Sequence, residues 1–239
     1  MAKAPRAGQV KTRLVPPLTP EAASKLSASF LRDITENLRL AAYDAVIHGY
    51  VAYAPAEYEA LFNGMLAPDT HLVLADGVGP APQGVQGFGR SLLHAVRSLF
   101  GRGHDAVCLL NSDSPNLPTA LLSRAALALA EAGDRIVLGP ADDGGYYLLG
   151  MKAPHLPLFA NIDWSTAHVA EQTRQRAGAL GLPVLELDAW YDVDDAQSLL
   201  RLRHDLATGR QVAGLTPYPA PVTARCIDQL LIHDLFHAA

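Results

Sequence analysis

Lys3, Arg6, Lys11 and Arg13 fall within AKAPRAGQVKTRL, residues 2–14, a stretch without a single acid in a chain of net charge −5. Gly8 lies inside this loop and Thr12 separates its last two cations. A basic loop running into a helix offers phosphate oxygens both side-chain charge and backbone N–H groups at the positive helix end. Lys3, Gly8, Lys11, Thr12 and Arg13 are therefore candidate phosphate ligands. Lys11 is also a candidate catalytic group, able to offset charge on a departing phosphate. Charge alone also permits a plain solvated surface.

Three acidic motifs complement the loop. NSDSPNLP, residues 111–118, places Asp113 just past an apolar run, where a carboxylate can hold a hard divalent cation bridging phosphate oxygens. WYDVDDAQSL, residues 190–199, supplies Asp192 and Asp194 as further metal carboxylates, although Asp194 to Gln197 also read as a helix capping box. GPADDGGYYLLG, residues 139–150, sets Asp143 before Gly144 and Gly145. Asp143 could accept hydrogen bonds from sugar hydroxyls or orient an acceptor, while the glycines admit close approach and Tyr146 or Tyr147 faces the site. The same residues fit a hairpin turn. In FANIDWSTAHV, residues 159–169, Trp164, Ser165 and Thr166 make an acceptor-binding corner or, more plainly, a helix N-cap at Ser165.

These motifs need strand ends to hold them. Strand-like runs at 45–53, 71–75, 105–113, 135–140, 145–151 and 183–188 alternate with helical patterns at 20–42, 56–66, 90–100, 118–132, 165–179 and 195–207, with a last helix at 226–237. That alternation predicts an α/β, Rossmann-like fold with a mostly parallel central sheet and helices on both faces. The acidic motifs fall where such sheets bind ligands, outside the strand ends. Residues 1–208 read as one transferase-like domain, and 209–239 as a Pro/Gly-rich extension whose apolar tail packs on the core or on another subunit of a homo-oligomer. The first strand is largely missing. Only Met1–Ala4 precede the basic loop, so the strand is a stub of about four residues, from a start placed too far downstream or from truncation. A Gly-rich loop at 76–89 is long enough to cover a site.

Composition excludes several classes. An acidic chain argues against general nucleic-acid binding. No apolar run reaches the ~18 residues of a membrane span, and no apolar segment follows the N-terminal charges as in a signal peptide. Cys108 and Cys226 form no CxxC and read as free thiols of a cytoplasmic protein. Histidine spacing supports no zinc site, and neither a GxSxG elbow nor a Walker A loop is present.

In their order and spacing, AKAPRAGQVKTRL, NSDSPNLP, GPADDGGYYLLG, IDWST and DVDDAQSL resemble the bacterial selenodomain-associated glycosyltransferase family, across roughly residues 2–205. That family lies in the GT-A, nucleotide-diphospho-sugar transferase superfamily, with the molybdenum-cofactor guanylyltransferases, phospholactate guanylyltransferase and CMP-sugar synthetases. The resemblance implies that Lys11 and Arg13 belong to the nucleotide-phosphate loop and that Asp113 is the metal aspartate of SDSP. It matches Asp143 to the acid of DGGYY and Asp194 to a magnesium-ligating aspartate. It also matches Arg90, in VQGFGRSL, loosely to a basic residue of the nucleotide site. Asn116 and Asp195 depart from it, standing where an acid and a Thr are usual.

The residues together imply a metal-dependent transferase using Mg²⁺ or Mn²⁺, a nucleotide (NTP or NDP-sugar) and a small-molecule acceptor. One carboxylate in D-S-P, with the second arriving from downstream, favours nucleotidyl transfer from an NTP to a phosphorylated or phosphonate acceptor. Glycosyl transfer from an NDP-sugar is the alternative, and a non-catalytic nucleotide-binding protein is the third reading.

Overall fold

The computed structural model describes residues 1–212 and 214–237, with side chains through Leu230 in the last helix. In chain order the elements are α1 (Pro20–Ala41), β1 (Tyr50–Tyr53), β2 (His71–Leu74), α2 (Phe88–Phe100), β3 (Val107–Leu110), α3 (Thr119–Ala130), β4 (Ile136–Pro140), β5 (Tyr146–Met151), α4 (Val169–Ala179), β6 (Val184–Glu186), α5 (Ala196–Thr208) and α6 (Pro221–His237). The fold is α/β and Rossmann-like, as the alternation predicts. None of these helices is long and apolar enough to cross a membrane.

The strands form two sheets: β1 with β2, and a four-stranded sheet in the order β3-β5-β4-β6. β1 and β2 run parallel, as do β4 and β6, whereas β5 is antiparallel to both of its neighbours. The reversal comes from the DDGG segment, which closes a tight hairpin through Ala141 N–H to Gly145 O and Gly144 N–H to Ala141 O. The hairpin lies at the edge where β3 and β4 end, beside the loops that follow them, and β5 carries the chain back to the edge where both strands begin.

The sheet divides the core. On one face Phe30 and Ile34 of α1, Leu121 and Leu129 of α3, Val137 and Leu148 pack together. On the other, Leu92 and Val96 of α2, Ala170 and Ala177 of α4, Ile136, Leu138 and Leu149 do so. Ile136, Val137 and Leu138 alternate between the two faces, as consecutive strand residues must.

Several boundaries depart from the periodicity. The strand expected over 45–53 pairs only from Tyr50, because β2 begins opposite it at His71. The segment at 56–66 is a 3-10 turn over Ala56–Phe62 rather than an α-helix. Residues 1–4 form no strand, although Met1 and Ala2 each make one backbone bond to a neighbouring strand. The last helix begins at Pro221 rather than 226. Pro suits the first helical position, and the buried Asp33 of α1 accepts hydrogen bonds from Val222 N–H (3.2 Å) and Thr223 N–H (2.6 Å), capping a helix nearly two hundred residues away. Cys226 and Ile227 pack on the core, and the remainder of the expected apolar tail, from 231, lies outside the described side chains. Both cysteines are free.

Candidate active site

Leu14, fully buried, anchors the end of the basic loop, and a left-handed Lys11 (φ 49°) turns the chain into a short 3-10 turn over Thr12–Leu14. That turn drives the Lys11 side chain inward, leaving it 7% exposed. Its ammonium pairs with Asp113, donates to Val193 O at 2.6 Å and lies 3.6 Å from Asp194 Oδ1. Phe30 lies beneath it, its ring centre 5.2 Å away. Arg13 stays outside, 75% exposed, with its guanidinium 3.5 Å from Asp194 Oδ2. Lys3, Gly8 and Thr12 are exposed along the same loop.

The two acidic loops are joined by backbone and side chain. Val193 N–H donates to Asp113 O at 2.8 Å, and Ser114 Oγ donates to Tyr191 O at 2.9 Å. Behind them Asn116, buried, gives its Nδ2 hydrogen to Tyr191 OH (2.8 Å) and accepts from Trp190 Nε1 (3.2 Å), while Tyr191 OH donates to Asp205 (2.8 Å). An acid at 116 would have no hydrogen for Tyr191, whose own hydrogen goes to Asp205, so the departure at this position is matched by its partners. Asp195 caps α5 in a full capping box with Ser198. Its neighbour Asp194, 43% exposed, keeps its carboxylate for Lys11 and Arg13.

The hairpin joins this group through Asp142. Asp142 N–H donates to Trp190 O (3.0 Å), its carboxylate accepts from Arg201 (2.8 Å), and the Arg201 guanidinium stacks 3.8 Å from the Tyr191 ring centre. Asp143 Oδ1 accepts from Gly145 N–H at 2.8 Å. The Asp192 carboxyl is pushed up to about 6, first by burial and then by the charges of Asp143, Asp194 and Asp113. Four carboxylates from three loops therefore share one region, in which Lys11 and Arg13 pair with Asp113 and Asp194, the pattern of functional sites.

That shift predicts a pH signature. From about pH 4 to about 6 the native Asp192 keeps a proton that the unfolded chain releases, so stability falls as pH rises through this window and stays low above it. Asp192→Asn should flatten the fall and raise stability at pH 7–8 by roughly 1–2 kcal/mol, discounted for partial exposure. Urea titrations of both proteins across pH measure this; identical curves would remove Asp192 from the charge cluster.

Tyr147 is the core member of the tyrosine pair, fully buried with its hydroxyl donating to Asp188 O at 2.9 Å. The Tyr146 hydroxyl is enclosed and has no hydrogen-bond partner among the described residues. Ser165 does not cap α4. Its backbone is left-handed (φ 65°), Thr166 Oγ1 donates back to Asp163 O, and the helix starts only at Val169. The sequence cap fails because Thr166 bonds back within its own turn while Asp163 spends its N–H and carboxylate on Gln172 of α4. Trp164 packs edge-on against Phe88 (5.9 Å) beside Gly89, at the start of α2. Asn161 N–H donates to Gly84 O, so this corner braces the Gly-rich loop, and Ala167 abuts Gly144. Arg90 holds the same loop, donating to Gly77 O and Gly79 O at 2.8 and 2.9 Å. The structure thus brings Lys11, Arg13, Asp113, Asp143, Asp192 and Asp194 together, and sets Arg90 and Trp164 in a wall built on the Gly-rich loop. The ties through Asn116 and Arg201 escaped sequence reasoning. Their only trace there was an Asn in an unusual place.

Residues 37–166 match the model of a family described as "Uncharacterized protein conserved in bacteria (DUF2064)". This span is more than half of the chain and contains both the SDSP and DDGG loops. The chain belongs to that family. The DUF2064 fold seen here is similar to the crystal structure of a "putative nucleotide-diphospho-sugar transferase" from Desulfovibrio desulfuricans G20, with a TM-score of 0.75 and 28% identity over 97% of this chain and 94% of that one. A match to Rv0371c from Mycobacterium tuberculosis H37Rv has a TM-score of 0.39 and 19% identity, over 82% and 93% of the two chains. No curated protein matches.

Proposed function

We propose that this protein is a transferase acting on a nucleotide-activated donor, with a divalent cation and phosphate oxygens meeting between the basic loop and the carboxylates. The carrying observation is the Lys11 ammonium enclosed by Asp113 and Asp194, which come from loops after different strands. Two acids that converge on a monovalent cation present hard oxygen donors to a divalent one. Mg²⁺ and Mn²⁺ commonly take one or two carboxylates and complete their shell with water and substrate phosphates. Asp113 and Asp194 would hold the ion, and Asp192 stands by as a further ligand. The ion would supply charge neutralisation at the phosphates.

The chain's own residues account for the rest. Arg13 and Lys3, both exposed, reach the outer phosphates. Lys11 offsets charge on the leaving group once the ion holds the carboxylates. Asp143, fixed by the hairpin, orients the acceptor hydroxyl or phosphate, with Gly144, Gly145 and Tyr146 beside it and the Trp164–Thr166 corner beyond. In the nucleotidyl reading an acceptor oxygen attacks the α-phosphorus and pyrophosphate leaves. The single acid of D-S-P, completed by Asp194 from downstream, favours it, and with it the kinship to guanylyltransferases. In the glycosyl reading an acceptor oxygen attacks the anomeric carbon and a nucleoside diphosphate leaves. The description of the Desulfovibrio protein favours this second reading.

A thermal-shift panel of NTPs and NDP-sugars with Mg²⁺ or Mn²⁺ decides between donors, and release of pyrophosphate or nucleoside diphosphate decides the bond broken. Stabilisation by neither class in any metal would overturn the proposal. Arg13→Ala should weaken a nucleoside diphosphate or triphosphate about tenfold and leave nucleoside binding and Tm unchanged. Calorimetric titration of the two ligands checks this, and equal losses would make the loop mere surface.

A further inference from the structure

Between the two sheets lies an apolar cavity of about 710 Å³. One wall runs along residues 46–52, the opposite wall along 105–110. Leu31 and Ile34 of α1 and Leu122 and Leu129 of α3 close one face, and Ala95 and Leu99 of α2 close the other. Among the described residues β2 is the only strand paired with β1 and β5 the only strand paired with β3, so each keeps one edge without a neighbouring strand, and both line this cavity. The space therefore lies in the plane of the sheets, between two strand edges and under helices on both faces.

Met1 and Ala2 show how the gap is bridged. The Met1 nitrogen donates to Leu110 O and Ala2 N–H donates to Ala52 O, both at 2.9 Å, one bond to each edge. Adjacent residues of a central strand alternate their bonds in this way between flanking neighbours. From Ala2 the cavity extends backwards along both walls, from Ala52 toward Val46 and from Leu110 toward Asp105. Chain arriving at Met1 along that path runs parallel to β1 and β3. At ~3.3 Å per residue, the run from Ala52 to Val46 accepts about five residues ahead of Met1.

We propose that this cavity is a strand-acceptor site, filled by an extended apolar segment of about five residues joined to the Met1 nitrogen, which pairs with β1 and β3 and merges the two sheets into one. A strand covered on both faces must be apolar throughout, rich in Val, Ile and Leu. Burial lowers the pKa of the Met1 amine to about 6. An amide at that position makes the same bond to Leu110 without a charge to desolvate. Cys108 opens onto the cavity from the middle of β3, with its thiol pushed up to about 12 by burial. The filled strand would run directly into the basic loop and fix its base.

The test adds five residues before Met1, either Val/Ile or Gly/Ser, and reads thermal unfolding and amide exchange without any nucleotide, so it is independent of the transferase reading. The Val/Ile chain should melt about 8 °C above the Gly/Ser chain. It should also slow exchange of the Ala52, Cys108 and Leu110 amides, which lie on the cavity side of their strands, at least ~100-fold. Cys108→Phe, which fills the space from one side, should cancel most of the gain. Equal melting of the two chains overturns the proposal. So does protection along one edge only, or a gain accompanied by self-association with the cavity edges still exchanging freely.

Discussion

Asp113→Asn is expected to reduce Mg²⁺- or Mn²⁺-dependent nucleotide binding by ~100-fold or more, the consequence of removing one charge from a partly buried pair. The fold should persist, because Asp113 joins the neighbouring loop through its backbone carbonyl, and Ser114 makes the second tie. Lys11→Met sharpens the result by acting in two directions. Without the ammonium, Asp113 and Asp194, 34% and 43% exposed, repel each other, and Arg13 remains beside Asp194. Bare Mn²⁺ should then bind more tightly than to the unaltered protein, while the nucleoside triphosphate binds more weakly for want of a cation at its phosphates. Electron paramagnetic resonance of Mn²⁺ gives the first quantity and calorimetry the second. If both affinities fall together, Lys11 is a structural cation and the two carboxylates do not form a metal site.

Gly144→Ala should lower Tm by about 10 °C, a loss of roughly 3–5 kcal/mol for a chain of this length. Gly144 has φ 88°, and a Cβ there would lie 2.2 Å from Ala167 O and 2.7 Å from Ala167 Cα. Both obstacles are backbone, in a segment held by Ala170 N–H donating to Gly144 O at 3.0 Å, so neither side can yield cheaply. Gly145→Ala is the matched control. Its Cβ would meet only the Asp143 carboxylate, at 3.0 Å, a side-chain end that can shift by a few tenths of an ångström where backbone cannot. It should cost below about 1 kcal/mol while disturbing acceptor use through Asp143. Thermal melts of the two variants separate the contributions, and comparable losses would show that the turn, not the contact with the corner at Ala167, is what matters.

The alternation of elements was legible because periodicity and turn residues agree along most of the chain. Strand direction was not. A DDGG turn reads as a hairpin, yet nothing in apolar spacing says that β5 then runs against both neighbours. Ser165 carried a good capping residue type in the wrong place, since helix starts depend on which backbone N–H groups are left without partners. The acidic loops were legible as strand-end motifs, and their convergence follows from the sheet. The inward turn of Lys11 was not legible. It depends on a left-handed backbone and on Leu14 finding the core, both decided by packing rather than by local pattern. Arg90 holds carbonyls of the Gly-rich loop, a role that only the folded loop defines.

Lys11 meets Asp113 about a hundred positions along the chain and Val193 nearly two hundred. Such separations make the site a late product of folding, since the closure entropy of both loops must be met before its contacts form. No N-terminal fragment can assemble it, and a nascent chain has no cradle for phosphates until the DVDD loop has emerged and docked. A ligand spanning these groups therefore stabilises only the completed fold. Its protection against proteolysis should reach both ends of the sequence at once rather than spread outward from the basic loop.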